Sequence, residues 1–335
     1  MCTKKKLRKI SILILLLIFL AGCGKNGNNE VKTIRVSHVL TEDHPTNVTL
    51  LNVFKKEVEE KSNGRLKVEI YPNGQLGSDR QAIESVSIGT LDMSVPGGPV
   101  LSGFYEPFMV YDLPYLFDTK DEAYRACDGP LKDKLSKELM EKSNIRILGI
   151  GENGFRHITT TNRKITKLED LKGLKIRTME SPLHMATFKA LGANPTPIAF
   201  NELFTALQQG TVDGQENPIT IIHDSRLYEV QKYMVLDQHY YVNCPYIISE
   251  KCWESLSEED QKIVQDATTK TVNAQRKMLN ELEKKYLDTL KEGGIEVVEL
   301  SEQEKQKFKD ATKSVYNIYT NRFGEENVKL AKESK

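Results

Sequence analysis

The chain has 335 residues, with 47 basic and 47 acidic side chains and 39% hydrophobic residues. This composition is typical of a soluble globular protein, and it excludes a disordered or low-complexity chain and a polytopic membrane protein. The length is sufficient for two lobes that each bury a core of their own.

The N-terminus predicts an export signal of the lipoprotein type. Residues 1–9 carry five basic side chains and no acidic one, and Ile10–Leu20 is apolar apart from Ser11. As a helix this run would span about 16 Å, roughly half of a bilayer core, so we expect a secretory signal at 1–22 and not a membrane-spanning helix. The run ends in Leu-Ala-Gly-Cys, which resembles a lipobox and predicts lipidation of Cys23. An ordinary signal peptide followed by an incidental cysteine is the alternative.

Processing at this position would change the charge and the cysteine count. Cleavage before Cys23 would remove five of the 47 basic side chains, leaving 42 against 47 acidic ones and a net charge of −5. A mildly acidic protein binds phosphate backbones poorly, so no nucleic-acid partner is expected. The polar stretch 23–30 predicts a flexible tether that would hold the folded part at the outer face of the cell membrane. Cys127, Cys244 and Cys252 have no metal-site spacing, and we expect buried thiols, with one disulfide as the alternative.

The rest of the chain predicts alternating strands and helices. Strands are expected at 33–39, 66–71, 91–95, 145–150, 156–160, 174–178, 232–236 and 240–248, and helices at 47–61, 78–88, 121–141, 182–191 and 201–209. This alternation favours right-handed βαβ units and a mostly parallel sheet. From Ser257 to Gly293 an unbroken helical pattern of about 36 residues would reach about 54 Å, which is longer than one lobe is wide. We expect one helix across both lobes, with a two-helix hairpin as the alternative.

Motifs of known catalytic and metal chemistry are missing from the sequence. It contains no G-x-S-x-G, H-E-x-x-H, Walker A or G-x-G-x-x-G motif, and its six histidines have no metal-ligand spacing. We therefore expect no cofactor and no metal site formed by these motifs, and nothing in this search points to an enzyme. Arg156 and Arg177 are placed near strand ends, and Arg177 precedes a helix that starts at Ser181, as in carboxylate-binding sites. A structural ion pair explains either arginine equally well at this level.

Several segments resemble the solute-binding subunits of TRAP transporters, the DctP family, and they occur in the family's order. The matching segments are YPNGQLG at 71–77, LPYLF at 113–117, NGFR at 153–156, LKGLKIR at 171–177, GANPTP at 192–197 with Ala199 and Phe200, ALQ at 206–208 and VDGQENP at 212–218. The resemblance covers nearly all of residues 31–330. It implies an α/β, two-lobe fold like that of periplasmic binding proteins, with mixed or parallel sheets and a long C-terminal helix spanning both lobes. The expected boundaries are 31–152 and 243–282 for lobe I, and 153–242 and 283–335 for lobe II.

The resemblance also implies roles for individual residues. Arg177 corresponds to the arginine that pairs with the substrate carboxylate, Arg156 to a second arginine near it, and Asn217 to an amide donor. The further ligand-binding candidates are Phe200, a packing aromatic residue, His239 on the cleft, Asp79, His38, Glu42 and Asn47 on the first lobe, and Glu152. Gly97 stands where sialic-acid-binding members carry a glutamate, which argues against sialic acid as the ligand.

The expected function is extracytoplasmic capture of a small organic acid and its delivery to TRAP membrane permease subunits. The segment 152–156 resembles members that bind sugar acids such as hexuronates, and C4-dicarboxylates are the alternative. Closure of the two lobes around the ligand is expected. A secreted sugar-acid enzyme, for which the sequence offers no paired acid and base, and a lipid-anchored adhesin are the competing classes.

Overall fold

The computed structural model describes residues 31–333. The strands of this part of the chain form one mixed sheet. Its strands are β1 (Lys32–Ser37), β2 (Leu66–Tyr71), β3 (Met93–Ser94), β4 (Ile145–Thr160), β5 (Lys175–Thr178), β6 (Asn194–Pro197), β7 (Gly214–Pro218), β8 (Tyr233–Ser249) and β9 (Glu296–Val298). Their order is β2-β1-β3-β8-β4-β7-β5-β6, with β9 beside β8. The expected signal peptide, Cys23 and the tether lie outside the described residues.

The helices pack around this sheet. They are α1 (Pro45–Thr49), α2 (Lys56–Lys61), α3 (Asp79–Ser87), α4 (Gly98–Leu101), α5 (Lys120–Asp128), α6 (Pro130–Ser143), α7 (Pro182–Ala190), α8 (Phe200–Gln208), α9 (Ile219–Asp224), α10 (Glu250–Glu254), α11 (Glu258–Glu292), α12 (Glu302–Phe323) and α13 (Glu326–Glu333). A π-helical segment, Leu50–Lys55, joins α1 to α2. Within the described ranges no helix has the length and apolar character needed to cross a bilayer.

The two longest strands, β4 and β8, pair antiparallel along 16 and 17 residues. The sequence predicted each of them as two separate strands, because glycines interrupt the apolar pattern of β4 and the polar residues 237–239 interrupt that of β8. The ladder continues past these glycines through register shifts, one of which lies between Glu152 and Gly154. β4 also pairs antiparallel with β7, whereas β5 pairs parallel with β6 and β7, so the sheet is mixed, one of the two forms that the resemblance implied.

The helix expected at 121–141 is divided into α5 and α6. Gly129 between them has an extended backbone, with φ −97° and ψ −164°, and Pro130 is the first residue of α6. A proline has no N–H for the preceding turn and fits the first position of a new helix, so the chain starts again here.

The long helix α11 confirms the prediction of one unbroken helix. Ser257 caps its N-terminus by accepting a hydrogen bond of 3.1 Å from the N–H of Asp260. Its 35 residues extend over about 52 Å. Val264 and Val272 belong to a core cluster with β1 and β2, whereas Leu290 belongs to another with α8 and α9. The helix therefore connects two separate cores.

The remaining cysteines are buried in the protein interior. Cys127, Cys244 and Cys252 form no disulfide with one another. Burial raises the pKa of Cys244 to about 12, so this thiol is neutral at ordinary pH. The expectation of buried thiols is confirmed.

Candidate carboxylate-binding site

A cavity lies between the end of β5, the polar strand β7, the loop after β3 and the start of α3. About 530 Å³ of space not filled by protein atoms, open solvent included, lies between these elements. Five of the residues expected from the sequence line it, namely Arg177, Arg156, Asn217, Phe200 and Asp79. The rest of the wall is largely apolar. The cavity therefore brings together residues that lie up to 138 positions apart along the chain (Asp79 and Asn217).

Arg177 presents a buried guanidinium that the protein only partly satisfies. Its Nε donates to the carbonyl oxygen of Ile198 at 2.8 Å, while Nη1 is buried and has no hydrogen-bond partner among the described residues. The side chain also lies 6.0 Å from the ring centre of Phe200, the first residue of α8. Burial, and then repulsion from Arg156, lower the pKa of Arg177 to about 10. The group therefore stays charged at neutral pH and can accept a further anionic partner.

Arg156 is neutralised by a carboxylate of the protein itself. Its Nε and Nη2 donate to the two carboxylate oxygens of Glu216, and both side chains are almost fully buried. His239 contacts the same carboxylate at 3.2 Å through Nε2 and Asp237 at 2.7 Å through Nδ1. Burial alone would raise the pKa of Glu216, but Arg156 and His239 hold it well below its usual range. His239 thus lies behind the cavity and supports Arg156 through Glu216.

Asn217 is held on the strand that also carries Glu216. Its side-chain amide donates to Gln215 Oε1, and Gln215 in turn donates to Thr159 at 2.8 Å. The strand β7 contains no apolar side chain apart from Pro218, yet all five of its residues are buried. These polar bonds fix the orientation of Asn217 at the cavity wall.

Asp79 approaches the cavity from α3, where it is the first helical residue after the cap Ser78. Its Oδ2 accepts the N–H of Gly97 at 3.2 Å, and Oδ1 is buried without a partner among the described residues. Burial raises the pKa of Asp79 to about 7, while the Gly97 N–H and the charge of Arg177 act in the opposite direction. Gly97 itself lines the cavity, so the wall here has no side chain larger than hydrogen at that position.

Three further candidates, His38, Glu42 and Asn47, do not line the cavity. His38 is buried, and its Nε2 lies 3.1 Å from Asn47 Oδ1. Asn47 donates to the main-chain oxygen of Glu42 at 2.8 Å, while the side chain of Glu42 is exposed. The two residues after His38, Val39 and Leu40, are the ones that reach the cavity.

Glu152 lies behind the cavity, in a smaller pocket next to α11. It forms an ion pair of 2.8 Å with Lys120 and accepts the hydroxyl of Tyr124. Lys120 also contacts Glu283 of α11 at 2.6 Å. Burial raises the pKa of Glu152, and the charge of Lys120 opposes this effect.

The sequence reasoning missed two residues of the site. Asn153 lines the cavity and has a buried Oδ1 without a partner among the described residues. Glu216 neutralises Arg156 across a gap of 60 positions in the chain. Both lie within the segments that carry the family resemblance, but an isolated Asn or Glu in a polar segment gives no local signal of burial. Nothing in residues 31–333 places three or more His, Cys, Asp or Glu side chains for a metal ion.

Comparison with known proteins gives the same classification over nearly the whole chain. The model of the family DctP, bacterial extracellular solute-binding protein, family 7, matches residues 36–322. The sugar acid binding protein DctPAm from Advenella mimigardefordensis, crystallised with galactonate, is 34% identical with a TM-score of 0.87, over 91% of this chain and 100% of that chain. This similarity confirms the α/β, two-lobe fold class.

Two further solved structures extend the comparison to smaller acids. The TRAP periplasmic solute-binding protein from Polaromonas sp. JS666, bound to D-erythronate, is 37% identical with a TM-score of 0.86, over 90% of this chain and 98% of that chain. The one from Sulfurospirillum deleyianum, with bound succinate, is 29% identical with a TM-score of 0.86, over 91% and 99% of the two chains.

Proposed function

Because this chain belongs to the DctP family of TRAP solute-binding proteins, we propose that it captures a sugar acid, such as a hexuronate or an aldonate, with the ligand carboxylate on Arg177. The observation that carries the proposal is the incomplete bonding of Arg177, which is 2% exposed and has an unpartnered Nη1. Of the acidic side chains that act on its charge, Glu216 is paired with Arg156, Glu180 is paired with Arg80, and Asp79 accepts the Gly97 N–H without a direct contact to Arg177 among the described residues. A buried cation without a counter-ion has a high desolvation free energy. A ligand carboxylate would neutralise it through two parallel hydrogen bonds.

Binding at this site requires the protein to open. Arg177, Asn217 and Arg156 are each at most 2% exposed, so a ligand cannot reach them in the conformation described here. We place the hinge at the lobe boundaries 152/153 and 242/243. The register shift of β4 between Glu152 and Gly154, opposite Asn243 and Val242 of β8, supports this position. Small-angle scattering should then give a smaller radius of gyration with galactonate than without it.

Similar proteins of known structure bind either sugar acids or a C4-dicarboxylate, so both ligand classes have support. Two of the similar structures hold galactonate and D-erythronate, and another holds succinate. The higher identities belong to the two sugar-acid complexes, at 34% and 37% against 29%. We therefore place sugar acids first and keep the C4-dicarboxylates as the second candidate class.

Export and anchoring complete the proposed role. We propose cleavage before Cys23, lipidation of that cysteine, and delivery of the ligand to the membrane permease subunits of a TRAP transporter. Labelling of expressing bacteria with a fatty-acid analogue should mark the wild-type protein and not Cys23→Ser. Equal labelling of Cys2→Ser would be the matched control, and an unlabelled wild-type protein would contradict the anchor.

The family consists of solute-binding proteins, and we propose binding without turnover. After incubation of the pure protein with galacturonate, the NMR spectrum of the ligand should be unchanged. The appearance of a product would favour the enzyme alternative.

Titration calorimetry with galactonate, galacturonate, D-erythronate and succinate tests the carboxylate site itself. Arg177→Lys should lower the affinity of the bound acids by about 10- to 100-fold, because an ammonium group cannot replace the planar, two-pronged contact. Arg322→Lys is the control, since Arg322 is half-exposed and pairs with Glu106 outside the cavity lining. Unchanged affinity in Arg177→Lys, or no binding of any of these acids to the wild type, would refute the proposal.

A further inference from the structure

The cavity wall contributed by Asp79 and Asn153 carries two acceptor oxygens that the protein leaves unused. Asp79 Oδ1 and Asn153 Oδ1 are buried without hydrogen-bond partners among residues 31–333. Both residues are 7% exposed, and both line the cavity. Buried polar atoms in folded proteins are nearly always paired, so two unpaired acceptors in one wall indicate donors that arrive with a ligand.

Gly97 is next to both of these side chains. A Cβ atom on Gly97 would lie 3.5 Å from Asp79 Oδ2 and 3.8 Å from Asn153 Nδ2. The N–H of Gly97 already donates to Asp79 Oδ2, which leaves Oδ1 for another donor. The methyl group of Met179, whose Cε is 2.4 Å from that Cβ position, takes this space, and its flexible side chain can move aside for ligand atoms.

The charges around the cavity can accommodate one ligand carboxylate and not two. Among the described lining residues the cations are Arg156 and Arg177, and Arg156 is already neutralised by Glu216. The acids of the lining are Asp79 and Glu180, and Glu180 is paired with Arg80 at 3.1 Å. Above pH 7, where Asp79 is mostly ionised because its pKa is about 7, a second carboxylate would therefore meet this charge without a cation to balance it.

We infer that Asp79 and Asn153 form a hydroxyl-selecting wall, so that the site takes a polyhydroxy monocarboxylate and rejects C4-dicarboxylates. This inference rests on the proposed function, since it takes the first ligand carboxylate to be on Arg177. Ligand hydroxyls donate to the two unused oxygens, which the methylene groups of succinate cannot do. An ionised second carboxylate has no proton to donate and is repelled by Asp79, so the same wall attracts one class and excludes the other.

Calorimetry with two matched ligand pairs separates hydroxyl recognition from charge exclusion. Galactonate and galactarate share six carbons and four internal hydroxyls and differ in the second carboxylate, while D-erythronate and succinate are both four-carbon acids. In the wild type we expect each monocarboxylate to bind at least about tenfold more tightly than its dicarboxylate partner. Asp79→Asn should reduce both ratios by about tenfold, because the amide no longer repels a carboxylate.

Asn153→Ala tests the hydroxyl contact without changing a charge. It should lower the affinity for galactonate severalfold and leave the affinity for succinate unchanged. The matched controls are Asp288→Asn and Asn162→Ala, since both residues are exposed and neither lines the cavity. Asn153→Ala still tests the inference if Asp79→Asn does not fold.

The outcomes distinguish this inference from the proposed function. If galactonate binds in a manner that depends on Arg177, but the dicarboxylates bind the wild type as tightly as their partners, only the selecting wall is refuted. The same holds if both ratios persist in Asp79→Asn, or if Asn153→Ala weakens succinate as much as galactonate. If neither galacturonate nor any of these four acids binds, or if Arg177→Lys leaves the affinity unchanged, the proposed function fails and this inference fails with it.

Discussion

Arg156 and Arg177 are buried to almost the same extent, at 1% and 2% exposure, but the regions around them differ in their charge balance. The Arg156 region contains Glu216, which contacts the guanidinium and is itself contacted by His239. In the Arg177 region the guanidinium has a main-chain carbonyl on Nε and no partner on Nη1 among the described residues. The first region is complete within the protein, and the second is not.

This difference separates an arginine that the protein neutralises from one that it does not, although the two are equally buried. A buried ion pair recovers most of its desolvation cost through its own attraction, so the Arg156 region needs no ligand to be stable. A buried cation without a counter-ion retains that cost until an anion arrives. From the sequence, a structural ion pair and a ligand contact were equally good explanations for both arginines. The structure assigns the ion pair to Arg156 alone.

The largest expected effect is on stability, in the Arg156 region. Glu216→Gln leaves Arg156 as an unpaired buried charge, and we expect a loss of about 3–5 kcal/mol in the free energy of unfolding. Arg177→Met in the ligand-free protein should cost far less than that, or increase the stability, because it removes a charge that the protein does not neutralise. Urea denaturation of both variants and the wild type measures the difference.

A buried glutamate outside this region provides the control for the stability measurement. Glu152→Gln alters a carboxylate with 1% exposure that pairs with Lys120, which is itself partly exposed, so its loss should be smaller than that of Glu216→Gln. If Arg177→Met destabilises the ligand-free protein as much as Glu216→Gln does, the two regions are not different in the way described here.

Local sequence patterns predicted the elements in which apolar residues recur at regular spacing. The long helix α11 was predicted because apolar residues recur at helical spacing from Ser257 to Gly293 and no proline interrupts them. The division between α5 and α6 was missed although Gly129 and Pro130 mark it, because the apolar periodicity continues across them. The strand β7 was missed because its signal is absent, since a strand of buried polar residues has no alternation of apolar side chains.

The site depended on contacts that no local pattern contains. Ser181 stands at the N-terminus of α7 as expected, but its hydroxyl donates to Asp112 at 2.8 Å and does not cap the helix. The pairing of Arg156 with Glu216 requires β4 and β7 to be neighbours, which follows from the sheet order and not from either segment. The resemblance to a family supplied the positions of the lining residues, while their partners came only from the fold.

The second-largest expected effect is a pH dependence of the unfolding free energy, which comes from His239 in the Arg156 region. Burial alone would lower the pKa of His239, but Asp237 and Glu216 raise it to about 9. Since the folded protein holds this proton more tightly than the unfolded chain does, the stabilisation is complete below about pH 6.5 and is lost as the pH rises through 9. The difference in unfolding free energy between the wild type and His239→Gln should therefore shrink between pH 6.5 and 10.

His157 provides the matched control for this titration. It is buried, and burial lowers its pKa to about 4, so it is neutral in the folded protein above pH 6.5. The difference between the wild type and His157→Gln should stay constant from pH 7.5 to 10. A constant difference for His239→Gln as well would mean that His239 carries no stabilising proton, and the Arg156 region would lose one of its charges.

The smallest expected effect is a loss of ligand affinity when the cavity beside Gly97 becomes smaller. Gly97 has φ −65° and ψ 127°, which an alanine adopts without strain, but its Cβ would come 2.4 Å from Met179 Cε. Because that methyl group ends a flexible side chain, Met179 can turn away into the cavity and reduce the room for ligand. Gly97→Ala should therefore weaken galactonate severalfold in calorimetry and weaken the shorter D-erythronate less, with the unfolding free energy nearly unchanged.

A second substitution determines whether lost space is the cause. Gly97→Ala combined with Met179→Ala removes the side chain that the new methyl group displaces, and we expect the affinity for galactonate to recover relative to Gly97→Ala alone. If the double variant binds galactonate no better, the methyl group acts on Asp79 and not on the cavity volume. In that case the hydrogen bonds of Asp79, and not the space beside Met179, would limit the affinity for galactonate.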